Sequence, residues 1–261
     1  MNTKKFNSMA AALLAAALFA PIQGAFGQTI GVNIVNGGSG VNEAAPDALL
    51  PEELAGAPGY IHTNWNNLGR WGSVTGLKDS NGTTNALVFN WDAVSTGSSG
   101  SAALGTADGK MMDGFIMTDW AGGPAGPLTA SSVYGAAFNQ KPLIYIGGLS
   151  NWLSGQGASS YKIVLYVNGW HGWFGTSEHW IQAVTGDPLN NAMVAGPDVS
   201  AHLFNADTGA FNGTYSQVSA SATSVANRSV GGNFEVFSGL TNDAVLIRNS
   251  QPNGDYQTLT I

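Results

Sequence analysis

Apolar residues alternate with polar or small ones in short runs along most of this chain. Ile30, Val32 and Ile34 fall on one face of an extended segment, Leu87, Phe89 and Trp91 on another, and Tyr161, Ile163, Leu165 and Val167 on a third. A period of two is that of a half-buried strand. The stretch from Tyr161 to Asn168 also carries Val164 and Tyr166 on its opposite face, which predicts a central strand covered on both sides. Weaker versions of the pattern predict strands over Thr29 to Asn36, Lys110 to Thr118, Leu143 to Gly147, Ser177 to Thr185, Ser200 to Asn205, Thr214 to Ala220, Asn233 to Ser238 and Ala244 to Arg248.

Between these runs lie Asp79-Ser80-Asn81-Gly82, Asp108-Gly109, Asn212-Gly213 and Asn253-Gly254. Asn, Asp and Gly tolerate the positive φ of tight hairpins, so antiparallel connections are expected. The only predicted helix is a turn or two near Pro51 to Leu54, with Glu52 and Glu53 in its first turn and Gly56 and Pro58 stopping it. Gly122 to Gly126 and Ser95 to Ser101 read as loops too short to link domains. The pattern predicts an all-β chain, an antiparallel β-sandwich of jelly-roll type in a single domain. Thr63 to Asn67 reads as a structural corner, with Trp65 buried and the Asn side chains closing turns.

Composition narrows the setting. With 36 Gly, 10% charged residues and no Cys, stability must come from an apolar core without disulfides. Lys4 and Lys5, the apolar run Met9 to Ala20, and the small residues Ala25 and Gly27 before Gln28 have the order of a secretory signal. This predicts a signal peptide over 1–27 and a mature β-sandwich domain over 28–261, secreted to the extracellular space or cell surface. Cleavage after Gly27 removes two lysines and no acid, taking the net charge from −7 to −9. So acidic a surface, with its few basic residues scattered, excludes nucleic acid and anionic lipid as partners. The apolar run is shorter than a membrane span, and no membrane insertion of the mature form is expected. The sequons at Asn81, Asn212 and Asn227 read as incidental turn sequences.

Several blocks, in order, carry a resemblance: Gly31-Val32-Asn33-Ile34-Val35, Thr63 to Asn67, Leu77 to Gly82, Ala86 to Trp91, Met111 to Phe115, Tyr161 to Val167 and Gly232 to Thr241. Over nearly the whole mature length the chain resembles a family of secreted bacterial proteins of unknown function. The resemblance implies an exported β-sandwich and brings no catalytic residues. Members of that family often carry a C-terminal sorting signal, an apolar helix with a basic tail, and usually one more strand. Neither follows Thr260-Ile261 here, which leaves open a free secreted form or a chain cut short.

The candidate chemistry is concentrated in one segment. Trp170, His171, Trp173, Glu178, His179 and Trp180 lie close together after a predicted strand. Exposed Trp faces stack on sugar rings while acids and imidazoles bond hydroxyls, so these six residues are a candidate glycan-binding edge. The alternative is that the three Trp cap one end of the core. The two His with Glu178 do not have recognised metal-ligand spacing, and no metal site or cofactor is predicted. Asp79 to Thr83 resembles the start of a calcium loop, but the position requiring Glu is Asn90. Structural calcium held by backbone carbonyls would leave no trace in the sequence.

Asp92, Asp113, Asp119 and Glu178 are the acids set near aromatics, and nothing in the sequence pairs them as glycoside hydrolysis requires. The leading expectation is therefore a secreted, non-catalytic β-sandwich that contacts polysaccharide or extracellular matrix through surface aromatics. Its rivals are a secreted carbohydrate-active enzyme, hydrolase or lyase, and a structural, self-associating cell-surface protein.

Overall fold

A computed structural model describes residues 27–92, 95–117, 143–167, 176–185, 194–206, 209–228, 232–249 and 258–260. The expected signal segment, the loop from Gly122 to Gly126 and the Asn253-Gly254 turn lie outside the described residues. The described chain is mostly β. In order the strands are β1 (Gly31–Ile34), β2 (Asn66–Leu68), β3 (Gly72–Thr75), β4 (Val88–Asp92), β5 (Ser95–Ser98), β6 (Gly114–Met117), β7 (Leu143–Gly147), β8 (Tyr161–Tyr166), β9 (Thr176–Thr185), β10 (Val194–Asp198), β11 (Leu203–Ala206), β12 (Phe234–Leu240), β13 (Ala244–Asn249) and β14 (Thr258–Thr260).

Among the described residues the strands form two larger sheets and one small one. The first runs β12-β8-β14-β1-β2, the second β10-β9-β13-β7-β4-β3 with β11 also on β9, and β5 pairs with β6. Among the described residues all strand pairings are antiparallel except β1 with β2, which is parallel and aligns Asn33 with Asn67. The parallel pair corrects the expectation of uniformly antiparallel connections. A long loop between β1 and β2 makes that return possible, since a parallel neighbour cannot be reached by a hairpin.

Alternation decides which faces are buried. Ile30, Val32 and Ile34 from the first sheet's side share one cluster with Phe89, Trp91, Ile144, Ile146, Ile181, Val245 and Ile247 from the second. β8 lies between β12 and β14, so it is interior to its sheet as expected. Its other face, Val164 and Tyr166, joins Leu49, Ala55, Ala57, Trp65, Met111, Met112, Phe211 and Phe234 in a second cluster. The five-stranded sheet is thus covered on both faces, by the second sheet and by the 49–65 loop with the segments around Met111 and Phe211.

Trp65 is buried, as predicted, with Nε1 donating to the His62 carbonyl at 3.1 Å. The Asn81 turn also holds: Asp79 Oδ1 accepts the N–H groups of Asn81 and Thr83, and Gly82 takes φ 78°.

Six local expectations fail for identifiable reasons. Pro51 to Leu54 is a turn, not a helix; so short a segment gains too few hydrogen bonds to nucleate, and Glu53 instead accepts the Leu50 N–H at 2.7 Å. Among the described residues the α-helices are Ala107–Met111 and Leu149–Gly155. Thr106 accepts the Gly109 N–H at 3.0 Å and caps the first of them, which converts the Asp108-Gly109 turn and the start of the strand predicted from Lys110 into helix.

Ser95 to Ser101, read as a loop, holds β5 because Gly97 lies beneath the Phe115 ring of β6; a Cβ there would sit 2.4 Å from Phe115 Cζ. Thr214 to Ala220 makes only an isolated bridge, Gln217 to Phe234. The Asn233 side chain satisfies Ser216 N–H and the Thr214 carbonyl there, replacing ladder bonds with amide bonds. The strand expected from Ser200 starts only at Leu203, because Ser200 Oγ is used to accept the Ile181 N–H at 2.8 Å.

Candidate functional site

β9 carries the described half of the candidate segment. Trp170, His171 and Trp173 lie outside the described residues; Glu178, His179 and Trp180 are successive residues of β9. Successive strand residues point to opposite faces, so the strand separates them. His179 is fully buried and turns toward the other sheet, where its Nδ1 lies 3.1 Å from Glu235 Oε1. It does not share a surface with Glu178 and Trp180.

On the outward face a small polar–aromatic group assembles around Trp180. Its ring stacks on His202 with centroids 4.4 Å apart and planes 7° from parallel. Its Nε1 donates to Asp198 Oδ1 at 2.9 Å. Arg248, the register partner of Trp180 on β13, places its guanidinium carbon 5.9 Å from the ring centroid, within cation–π range. The ring is partly exposed.

His202 holds the group together. Its Nδ1 is 2.7 Å from Glu178 Oε1 and its Nε2 is 3.0 Å from Asp198 Oδ2. Carboxylates only accept, so making both bonds requires a proton on each ring nitrogen, the imidazolium form. Partial burial opposes that charge, but the hydrogen bonds to Asp198 and Glu178 outweigh it and hold the His202 pKa above its ordinary value. Gln182 adds a bond from Nε2 to Asp198 Oδ1 at 3.4 Å. The result is a fixed aromatic plate rimmed by two acids, an amide and two cationic side chains.

His202, Asp198, Gln182 and Arg248 were not identified from the sequence. Glu178 and His202 lie 24 positions apart, and only the folding of β10 and β11 back along the same edge of β9 brings them together. The weak available signal was Asp198 and His202 flanking a turn, four residues apart.

The acids considered for hydrolysis are dispersed. Asp119 lies outside the described residues, and Asp92 is the last residue of β4. Asp113 is nearly buried before β6, its carboxylate accepting from Ser98 Oγ at 2.8 Å and from the Ala102 N–H at 3.1 Å. Glu178 lies on β9, separated from β4 by β13 and β7, with His202 as its partner. Among the described residues no group of three or more His, Cys, Asp or Glu side chains is arranged to hold a metal ion, and no helix is long and apolar enough to cross a membrane.

Compared with family models, with curated proteins and with solved structures, the chain shows no match.

Proposed function

We propose that this is an exported, non-catalytic protein whose two large sheets form a single jelly-roll-like β-sandwich, and that it binds polysaccharide through the Trp180 face of β9. The sandwich reading is supported by the cluster that both sheets share. Export is supported by the signal-like order of residues 1–27 and by the resemblance to secreted bacterial proteins.

The observation that carries the binding reading is the partly exposed Trp180 ring, held flat against His202 and fixed through Nε1 by Asp198. A sugar ring presents C–H groups that pack on an aromatic plate, and hydroxyls that need fixed donors and acceptors at its rim. Glu178, Asp198, Gln182 and Arg248 supply both kinds. Because the plate is positioned before any ligand arrives, binding would lose little side-chain entropy there.

The test is Trp180→Ala examined by polysaccharide pull-down beside thermal unfolding. Loss of retention with a melting temperature near that of the wild type is expected. Retention equal to wild type, or a severe loss of stability with the role of a core Trp, would overturn the reading.

A further inference from the structure

Asparagine followed by glycine is a reactive step as well as a turn signal. The glycine nitrogen, once it gives up its proton, attacks the asparagine Cγ and closes a succinimide ring, and glycine has no side chain to obstruct the approach. An N–H held by an acceptor reacts only after that bond opens. The described residues contain Asn36-Gly37, Asn81-Gly82 and Asn212-Gly213, while Asn168-Gly169 and Asn253-Gly254 lie outside them.

Exposure does not separate the three, since Asn36, Asn81 and Asn212 are all exposed. Nor does backbone shape, because Gly37, Gly82 and Gly213 take φ of 86°, 78° and 92°. The attacking N–H does. Gly37 donates to Thr96 Oγ1 at 3.1 Å, and Gly82 donates to the Asp79 carbonyl at 2.8 Å. Each preceding asparagine is also pinned through its own N–H, Asn36 to Asp47 Oδ2 and Asn81 to Asp79 Oδ1, both at 2.8 Å. Among the described residues no acceptor takes the Gly213 N–H. The Asn212 side chain is held instead, its Oδ1 accepting the Thr214 N–H at 3.0 Å. That bond curls the amide back over the Gly213 peptide, as in an Asx turn, and draws electron density from Cγ.

We propose that Asn212 is a site of spontaneous deamidation, the first of these three asparagines to convert to aspartate and isoaspartate in the folded protein. The Gly213 nitrogen loses its proton to solvent and bonds to Asn212 Cγ, the Cγ–Nδ2 bond breaks, and ammonia leaves with the proton. Water then opens the succinimide. Attack at Cγ restores the ordinary chain as aspartate, and attack at the backbone carbonyl leaves isoaspartate, with the chain running through Cγ. In sum one water is consumed, one ammonia is released and the side chain gains a negative charge, with no oxidant or enzyme required. The isoaspartate product places an extra backbone carbon between Phe211, which is buried, and Tyr215, whose ring centroid lies 4.8 Å from that of Phe211. Both rings pack in or against the cluster on the outer face of β8, so the modification falls in the cover of that sheet.

The experiment ages the folded protein in mildly alkaline buffer and follows the peptides carrying Asn36, Asn81 and Asn212 by mass spectrometry, with isoaspartate scored by its separate elution. A second sample ages in urea, where the folded hydrogen bonds are gone and all three steps are simply asparagine before glycine. In the folded protein Asn212 should convert fastest, with Asn36 and Asn81 about tenfold slower, the factor that about 1.4 kcal/mol gives and one ordinary hydrogen bond supplies. In urea that lead should largely disappear. Asn36 or Asn81 keeping pace with Asn212 in the folded protein would overturn the proposal. So would a lead of Asn212 that persists undiminished in urea, because the neighbouring sequence and not the fold would then set it. An Asn212 peptide that stays unmodified in the folded protein while it converts in urea would show that the Thr214 bond protects the amide, and would overturn it as well.

Discussion

His179 of β9 and Glu235 of β12 meet in the space between the two large sheets, both fully buried, with Nδ1 3.0 Å from Oε2. Each strand delivers its residue to a core-facing position: Ile181 follows His179 two residues on, and Phe237 follows Glu235, in the same apolar cluster. Burial pushes the Glu235 carboxyl above its ordinary range, while the His179 hydrogen bond works the other way. A polar clasp inside an apolar core is retained only when each member satisfies the other.

Removing one member should therefore cost more than removing both. Glu235→Ala, and separately His179→Ala, are expected to destabilise by about 3 to 5 kcal/mol, because each leaves a buried polar partner behind. The double variant His179→Leu/Glu235→Leu should recover most of that loss. Urea unfolding of the three proteins checks it, and strictly additive losses would refute the clasp.

His62 gives the clearest pH dependence. It is 6% exposed, stacked on Trp65 with centroids 4.0 Å apart, and burial lowers its pKa to about 4, against the backbone bond at Thr63. The unfolded chain binds the proton first, so this contribution is complete above pH 6.5 and is lost as pH falls through about 4. The loss should reach on the order of 3 kcal/mol from this group. His62→Gln should flatten the stability profile between these limits in chemical denaturation at stepped pH.

Asn67 is the anchor of the loop that covers the five-stranded sheet. Its Oδ1 accepts the Leu49 N–H and the Asn33 amide, each at 2.9 Å, and its Nδ2 donates to the Leu49 carbonyl at 2.9 Å. Asn67→Ala strands all three partners in a buried setting, and a loss of about 3 kcal/mol is expected, from the ~1 to 3 kcal/mol of each unmet group partly relieved by water. Hydrogen exchange should quicken at Leu49 ahead of β8. Unchanged protection at Leu49 would count against the anchor.

Gly31 is fixed by packing, not by φ. A Cβ there would lie 2.1 Å from His62 Cε1 and 2.5 Å from Trp65 Cε3. Gly31→Ala should displace the His62–Trp65 stack and destabilise by at least the ~1 to 3 kcal/mol of ordinary overpacking. Near-ultraviolet circular dichroism should show the Trp65 environment change, and a silent substitution would mean the rings can move aside freely.

Sequence alone determined what local periodicity can encode. The alternation of Ile30, Val32 and Ile34, of Leu87, Phe89 and Trp91, and of Tyr161 to Val167 specified strands and their buried faces, because a pleated backbone turns every second side chain the same way. Asp79-Ser80-Asn81-Gly82 specified its turn through the Asp79 side chain, a contact made within four residues. The helix over Ala107–Met111 was lost for the same local reason in reverse: a single capping bond from Thr106 outweighed the turn preference of Asp108-Gly109.

Tertiary structure decided everything that depends on which strands become neighbours. Alternation implied that His179 and Trp180 face opposite ways, but not which of them would be outside. Only the return of β10 and β11 along the edge of β9 brings Asp198 and His202 to Glu178 and Trp180, and only the approach of the first sheet gives His179 its Glu235. Contacts of that kind rest on loop closure over tens of residues, where local propensity carries no information and the packing of the whole core selects the partner.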